Sequence, residues 1–190
     1  MRLVLASASP RRAELLVSAG FEFEVDVADV DESVHPGEAP AAYALRVATD
    51  KAIRIAQSRR NTNDAILAAD TVVVANRGQI LGKPADAREA GAMLRLLSGS
   101  VHEVHTAIVL YHDGRMDSDV VTTRVQFALM SEKDIDWYVE TGEPQGKAGA
   151  YAIQGRAARF IDHIDGSWSN VVGLPIAAVF RLLKAATVLD

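Results

Sequence analysis

The run Ala65-Ile-Leu-Ala-Ala-Asp-Thr-Val-Val-Val-Ala75 is apolar everywhere except at Asp70 and Thr71, and its valines stand together. A run of this length is too short to cross a membrane and reads as a buried strand at the centre of a sheet. A carboxylate inside it carries a large burial penalty unless it caps a strand end, pairs with a cation or binds a metal. A strand-end cap is the plain reading of Asp70. A catalytic acid/base or a Mg²⁺ ligand explains its position more directly.

Working toward the N-terminus, Ala44, Leu45, Ala48, Ala52 and Ile55 recur at helical spacing and predict a helix over residues 41–58. Lys51 lies on the arc of Ala44, Val47 and Ile55, where it is partly desolvated unless it reaches an anion or snorkels to the surface. Further upstream, Leu3 to Ala6 predicts a short buried strand that leads through Ser7-Ala-Ser-Pro10 into a helix carrying Leu15, Leu16 and Ala19, stopped by Gly20. Ser9 suits the N-cap and Pro10 the first helical position, which puts Arg11 and Arg12 in the first turn. That is the positive end of the helix dipole, which disfavours each cation by roughly 0.3 to 1 kcal/mol. An anion reconciles them: backbone N–H groups, two serine hydroxyls and two guanidinium forks make a phosphate cradle. A solvated arginine pair is the alternative, and neither a Gly-x-x-x-x-Gly-Lys nor a Gly-x-Gly-x-x-Gly pattern is present.

Toward the C-terminus, Leu81-Gly-Lys-Pro84 places Lys83 in a turn, and Asp86 to Glu89 reads as the capped start of a helix with Ala90, Met93, Leu94 and Leu97 inside and Gly99 at its exit. Val104–Tyr111 and Val120–Leu129 read as strands of a hairpin closed by His112-Asp-Gly-Arg115, so part of the sheet is antiparallel. Ser131 to Asp134 is a capping box for a helix burying Ile135, Tyr138 and Val139 and ending at Gly142. The stretch from Gly142 to Gly155 is rich in turn residues but holds Lys147, Tyr151 and Gln154. Gln154 offers a paired donor and acceptor suited either to a base edge or to stapling a loop. Leu174 to Leu189 predicts a closing helix. One α/β domain over residues 1–190 is expected, with a mixed central sheet flanked by helices, in two lobes around a cleft.

Composition narrows the function. The 190 residues contain no cysteine, which excludes disulfides, cysteine nucleophiles and thiolate metal sites and suits a reducing cytoplasm. The opening Met1-Arg-Leu-Val-Leu-Ala6 is too short an apolar run for a signal peptide, and no membrane span is expected. A formal charge of −5 argues against a nucleic-acid surface, whose affinity rests on many phosphate contacts, but leaves room for a small phosphorylated ligand. His102-Glu-Val-His105 has the wrong spacing for a zinc motif, so both histidines are expected to be structural. Asp162, His163 and Asp165 assemble no Ser-His-Asp triad, and no Gly-x-Ser-x-Gly elbow exists.

Several stretches in order, Leu5-Ala-Ser-Ala-Ser-Pro-Arg-Arg12, Asp29-Val-Asp-Glu32, Ala69-Asp-Thr-Val-Val73, Leu81-Gly-Lys-Pro84, Tyr138 through Gly155 and Val171-Val-Gly-Leu-Pro175, resemble the Maf family of nucleotide pyrophosphatases along nearly the whole chain. The resemblance implies a Maf/ITPase-like fold and cleavage of nucleoside triphosphates between the α and β phosphates. It makes Asp70 the proton acceptor that activates water, with Ser7, Ser9, Arg12, Lys51 and Lys83 on the triphosphate and Mg²⁺ or Mn²⁺ held through Asp70 and Glu32. It also implies a homodimer. Arg11, Thr71 and Gln154 stand where relatives acting on 7-methyl-GTP resemble Trp, Gln and Glu. A glutamine can donate to O4 and accept from N3–H of uracil or thymine, so dTTP and UTP are the expected substrates, with modified pyrimidine nucleotides as further candidates. The rivals are a 7-methyl-GTP pyrophosphatase and a non-catalytic nucleotide-sensing regulator of cell division.

Overall fold

The computed structural model describes residues 1–60 and 63–189. In chain order the elements are β1 (Leu3–Ala6), α1 (Pro10–Ser18), β2 (Glu24–Val25), α2 (Pro40–Ser58), β3 (Ala65–Ala75), β4 (Gln79–Leu81), α3 (Ala87–Leu97), β5 (Val101–His112), β6 (Arg115–Phe127), α4 (Glu132–Glu140), β7 (Ile161–Asp165), α5 (Trp168–Val172) and α6 (Ile176–Ala185). The strand order is β2-β1-β3-β5-β6-β7, with β4 paired to β3. β1 runs parallel to β2 and β3, while β3–β4 and β6–β7 are antiparallel, so the sheet is mixed as expected. No helix among the described residues is long and apolar enough to cross a membrane.

The described chain divides into two units, and β3, β5 and β6 each contribute to both. The first comprises Met1–Asp70, Thr106–Val121 and the segment from Gly173 onward. Its core is β1, the Leu15 and Leu16 face of α1, the Ala44, Val47, Ala48, Ala52 and Ile55 face of α2, the first half of β3, and Val179 and Leu183 of α6. Each large apolar side chain removed from water here contributes about 1.5 to 3 kcal/mol. α1 ends in a Schellman motif: Phe21 N–H donates to Leu16 O, Gly20 N–H donates to Val17 O, and Gly20 has φ 78°.

The second unit comprises Thr71–His105 and Thr122–Val172. α3 starts with Asp86 accepting from Glu89 N–H at 2.7 Å, and α4 with the expected Ser131–Asp134 capping box. Ile135 and Tyr138 are buried, while Val139 is only half-buried. His102, Phe127 and Tyr151 meet edge to face at 4.9–5.3 Å between ring centroids. His102 is 2% exposed and shares a 2.8 Å hydrogen bond between its Nε2 and the Tyr151 hydroxyl, which confirms a structural histidine.

Burial lowers the His102 pKa from 6.5 to about 4. The folded state therefore keeps this imidazole neutral at a pH where the unfolded chain protonates it. Its contribution is complete above pH 6.5 and is lost as pH falls toward 4, a change of about 3 kcal/mol. Urea unfolding of the native chain and of His102→Phe, compared at pH 7 and pH 4.5, should show a smaller acid loss in the variant. An equal loss in both would move the acid sensitivity elsewhere.

Three elements differ in their bounds from expectation. β5 begins at Val101, and β6 runs from Arg115 to Phe127 rather than from Val120 to Leu129. Residues 115–119 are exposed and mostly polar, so no apolar alternation marked them as strand, and Leu129 lies beyond the strand at 85% exposure. The hairpin turns through Asp113 (φ 49°) and Gly114 (φ 74°), the conformation that a two-residue type I′ turn requires. The closing helix is α6 alone, starting after Pro175, and Thr187 beyond it has φ 54°.

Candidate active site around Asp70

β3 buries a carboxylate in mid-strand because α2 supplies its counter-charge. Asp70 is 8% exposed and Lys51 is 7% exposed, and the Lys51 Nζ donates to Asp70 Oδ1 at 2.8 Å. The strand-end reading of Asp70 thus gives way to that of a paired interior carboxylate. The same ammonium lies 2.6 Å from Glu32 Oε1, whose side chain is 40% exposed. One lysine is therefore shared by two carboxylates.

Glu32 stands in a segment with no regular structure, and α2 holds that segment down. The Tyr43 hydroxyl donates to Glu32 O at 2.9 Å, and Arg46 donates to Ser33 O at 2.8 Å and to Glu38 Oε1 at 2.7 Å. Arg46 draws the Glu38 carboxyl down to about 2. Burial, followed by the charges of Asp70 and Glu32, pushes the Tyr43 hydroxyl up to about 12. A tyrosine near a helix start carries no signal by itself, so the sequence does not mark Tyr43.

At the start of α1 the cradle differs from the expected one. Ser9 occupies the N-cap position, but its side chain makes no capping bond. Ser7 Oγ instead accepts from Ser9 N–H at 3.2 Å and from Arg12 Nη1 at 3.0 Å. Arg12 is buried, and its fork also donates to Ala69 O and Gly173 O, each at 2.8 Å. Its pKa is lowered by burial, against the pull of Asp70. The two forks are not equivalent: Arg12 ties α1 to the residue preceding Asp70, whereas Arg11 is half-buried. Gly173, with φ 124°, presents its carbonyl through a backbone conformation that favours glycine, which gives the Val171–Pro175 stretch a physical role.

Thr71, Lys83 and Gln154 belong to the second unit. Lys83 is exposed in the turn after β4, and Gly149 N–H donates to Gly82 O beside it at 3.0 Å. Gly149 has φ 68°, and a Cβ there would lie 2.8 Å from Val73 Cγ1. Gly149→Ala should therefore cost about 2 to 3 kcal/mol in urea unfolding, from left-handed strain and overpacking. Adding Val73→Ala should recover part of it; no recovery would mean that the contact is not the cause. Gln154 is exposed, and Lys147 is occupied within its own loop, donating to Glu143 O at 2.6 Å.

The first unit thus brings together Ser7, Arg12, Glu32, Lys51 and Asp70 on an α/β scaffold, a carboxylate site with one cation from each of two helices, α1 and α2. The chain belongs to the Maf-like protein family, whose model matches residues 2–186. It is 52% identical to the dTTP/UTP pyrophosphatase of Anaeromyxobacter dehalogenans strain 2CP-1, over 97% of this chain and 94% of that protein. It is 50% identical to the protein of that name from Geobacter sulfurreducens, over 96% and 95%, and 47% identical to that of Bordetella parapertussis, over 97% and 92%. The solved structure of the Staphylococcus aureus Ham1 protein shares the fold, with a TM-score of 0.50 at 13% identity over 98% of this chain and 100% of that one.

Proposed function

We propose that this chain hydrolyses nucleoside triphosphates at the α–β phosphoanhydride, with dTTP and UTP as preferred substrates, releasing the nucleoside monophosphate and diphosphate. The observation that carries the reading is the buried Asp70 carboxylate held by Lys51, at the strand position whose neighbour Ala69 is tied to Arg12. The names of relatives about half identical over nearly the whole chain support the substrate class.

In this reading a water attacks the α phosphorus in line, its proton passes to an Asp70 carboxylate oxygen, and the bond from the α phosphorus to the bridging oxygen breaks as diphosphate leaves. Ser7, Ser9, Lys51 and Lys83 bind the phosphates, and Arg12 both contributes charge and fixes Ser7 and the strand beside Asp70. Arg11, Thr71 and Gln154 select the base. Positioning and charge neutralisation supply most of the acceleration.

Among the described residues no group of three or more His, Cys, Asp or Glu side chains is arranged to hold a metal. Glu32 and Asp70 nevertheless flank one ammonium with hard carboxylate oxygens, a donor pair that fits Mg²⁺ or Mn²⁺ completed by phosphate oxygens and water. When bound, such an ion withdraws charge from the phosphate under attack. We further take residues 1–190 as one functional domain of a cytoplasmic homodimer that binds no nucleic acid.

The test is diphosphate release from dTTP, UTP, CTP, GTP, 7-methyl-GTP and modified pyrimidine triphosphates, with Mg²⁺ or Mn²⁺. Preference for dTTP and UTP with monophosphate as co-product is the expected result. Preference for 7-methyl-GTP would reassign the branch, and binding without hydrolysis would turn the reading to a nucleotide sensor.

A further inference from the structure

The turn around Gln154 is fastened on both sides of that residue to one pair of side chains. Tyr138, fully buried on α4, donates its hydroxyl hydrogen to Glu143 Oε1 at 2.8 Å and accepts from Ala152 N–H at 3.2 Å. Glu143 then accepts from Arg156 N–H on Oε2 at 3.0 Å and from Ala157 N–H on Oε1 at 3.4 Å. Ala152 precedes Gln154 and Arg156 follows it, so the Tyr138–Glu143 pair grips the chain before and after the exposed amide. Gly155 lies so close over the Glu143 carboxylate that a Cβ there would overlap it.

Glu143 is itself fixed. Its N–H donates to Thr141 Oγ1 at 3.1 Å, Thr141 Oγ1 donates to Tyr138 O at 2.6 Å, and Lys147 donates to Glu143 O. Burial works against its charge, but the Arg156 amide, the Tyr138 hydroxyl and the Ala157 amide outweigh burial and hold the carboxyl below its ordinary range. A charged acceptor for two backbone amides and a phenol resists displacement more than a neutral one does. Its oxygens face the turn, which makes it a brace for what the turn carries.

We propose that Glu143 is a positioning residue for base selection, holding Gln154 in place through the 152–157 turn. The proposal rests on the reading that Gln154 recognises the base. Misplacing a recognition amide by a fraction of its hydrogen-bond length weakens the preferred base and leaves the phosphate chemistry intact, so the effect falls on KM and on discrimination rather than on kcat.

The experiment measures kcat and KM for UTP and GTP in the native chain, Glu143→Gln, Tyr138→Phe, Gln154→Ala and the Glu143→Gln/Gln154→Ala double variant. In Glu143→Gln the amide group replaces one acceptor oxygen, and the UTP-over-GTP ratio of kcat/KM should fall about tenfold, the loss of about one charged hydrogen bond, mainly through KM. Tyr138→Phe keeps the buried ring, removes the bridging hydroxyl and should shift the ratio in the same direction; it carries the test alone should Glu143→Gln fail to fold. The double variant should match Gln154→Ala, because the brace has nothing left to position. If Gln154→Ala lowers the ratio while the folded brace variants keep the native one, the proposal is wrong and the base-reading role stands. If Gln154→Ala keeps the native ratio, the base-reading role itself is wrong and the proposal goes with it.

Discussion

Asp70→Asn should fold, bind UTP with little change in affinity and lose about 10³-fold in kcat, within the usual range for removing a general base. The substitution is nearly isosteric, and an asparagine oxygen can still accept the Lys51 hydrogen that Asp70 Oδ1 accepts at 2.8 Å. What disappears is the ability to take a proton from water at neutral pH. Calorimetric titration with UTP and steady-state diphosphate release separate the two. A kcat within about tenfold of the native value would take the base role away from Asp70. Weak binding with intact turnover at saturation would make the carboxylate a binding group instead.

The position of Asp70 is legible in the sequence for a physical reason. A carboxylate within an eleven-residue apolar strand needs a partner, and a lysine on the apolar arc of α2 needs one equally. Burial patterns in the sequence mark both anomalies, although spacing does not pair them. The hairpin turn, the capping box at Ser131 and the buried face of α3 were readable for the same reason: each is a local pattern with one physical solution.

The remainder depended on groups that carry no sequence signal. Arg12 finds its acceptors in the backbone carbonyls of Ala69 and Gly173, which any side chains at those positions would also offer. Arg11 and Arg12 therefore looked alike in sequence and differ in the fold. β6 begins with exposed residues held by strand pairing instead of burial, so its alternation is silent until Val120. Glu143 looked like one more polar loop residue, because its function is defined by amides more than ten residues away.

Lys51→Met should be the most destabilising single change in the first unit's polar cluster, costing about 3 kcal/mol in urea unfolding at pH 7. Methionine fills the lysine stem on the buried face of α2, so packing is largely kept. What is lost is the ammonium that both Asp70 and Glu32 contact, leaving the mid-strand carboxylate without its 2.8 Å donor. A buried charge stripped of its partner costs more than the intact pair contributes. The arrangement also predicts a rescue. Millimolar Mg²⁺ should raise the unfolding midpoint of Lys51→Met more than that of the native chain, because a divalent ion can then stand between two carboxylates that no longer share an ammonium. Lys51→Arg keeps the charge but exchanges a compact ammonium for a planar fork, so it should recover less stability than a charge count suggests. Equal Mg²⁺ responses in Lys51→Met and the native chain would separate Glu32 and Asp70 as metal partners, leaving the lysine as a structural counter-ion alone.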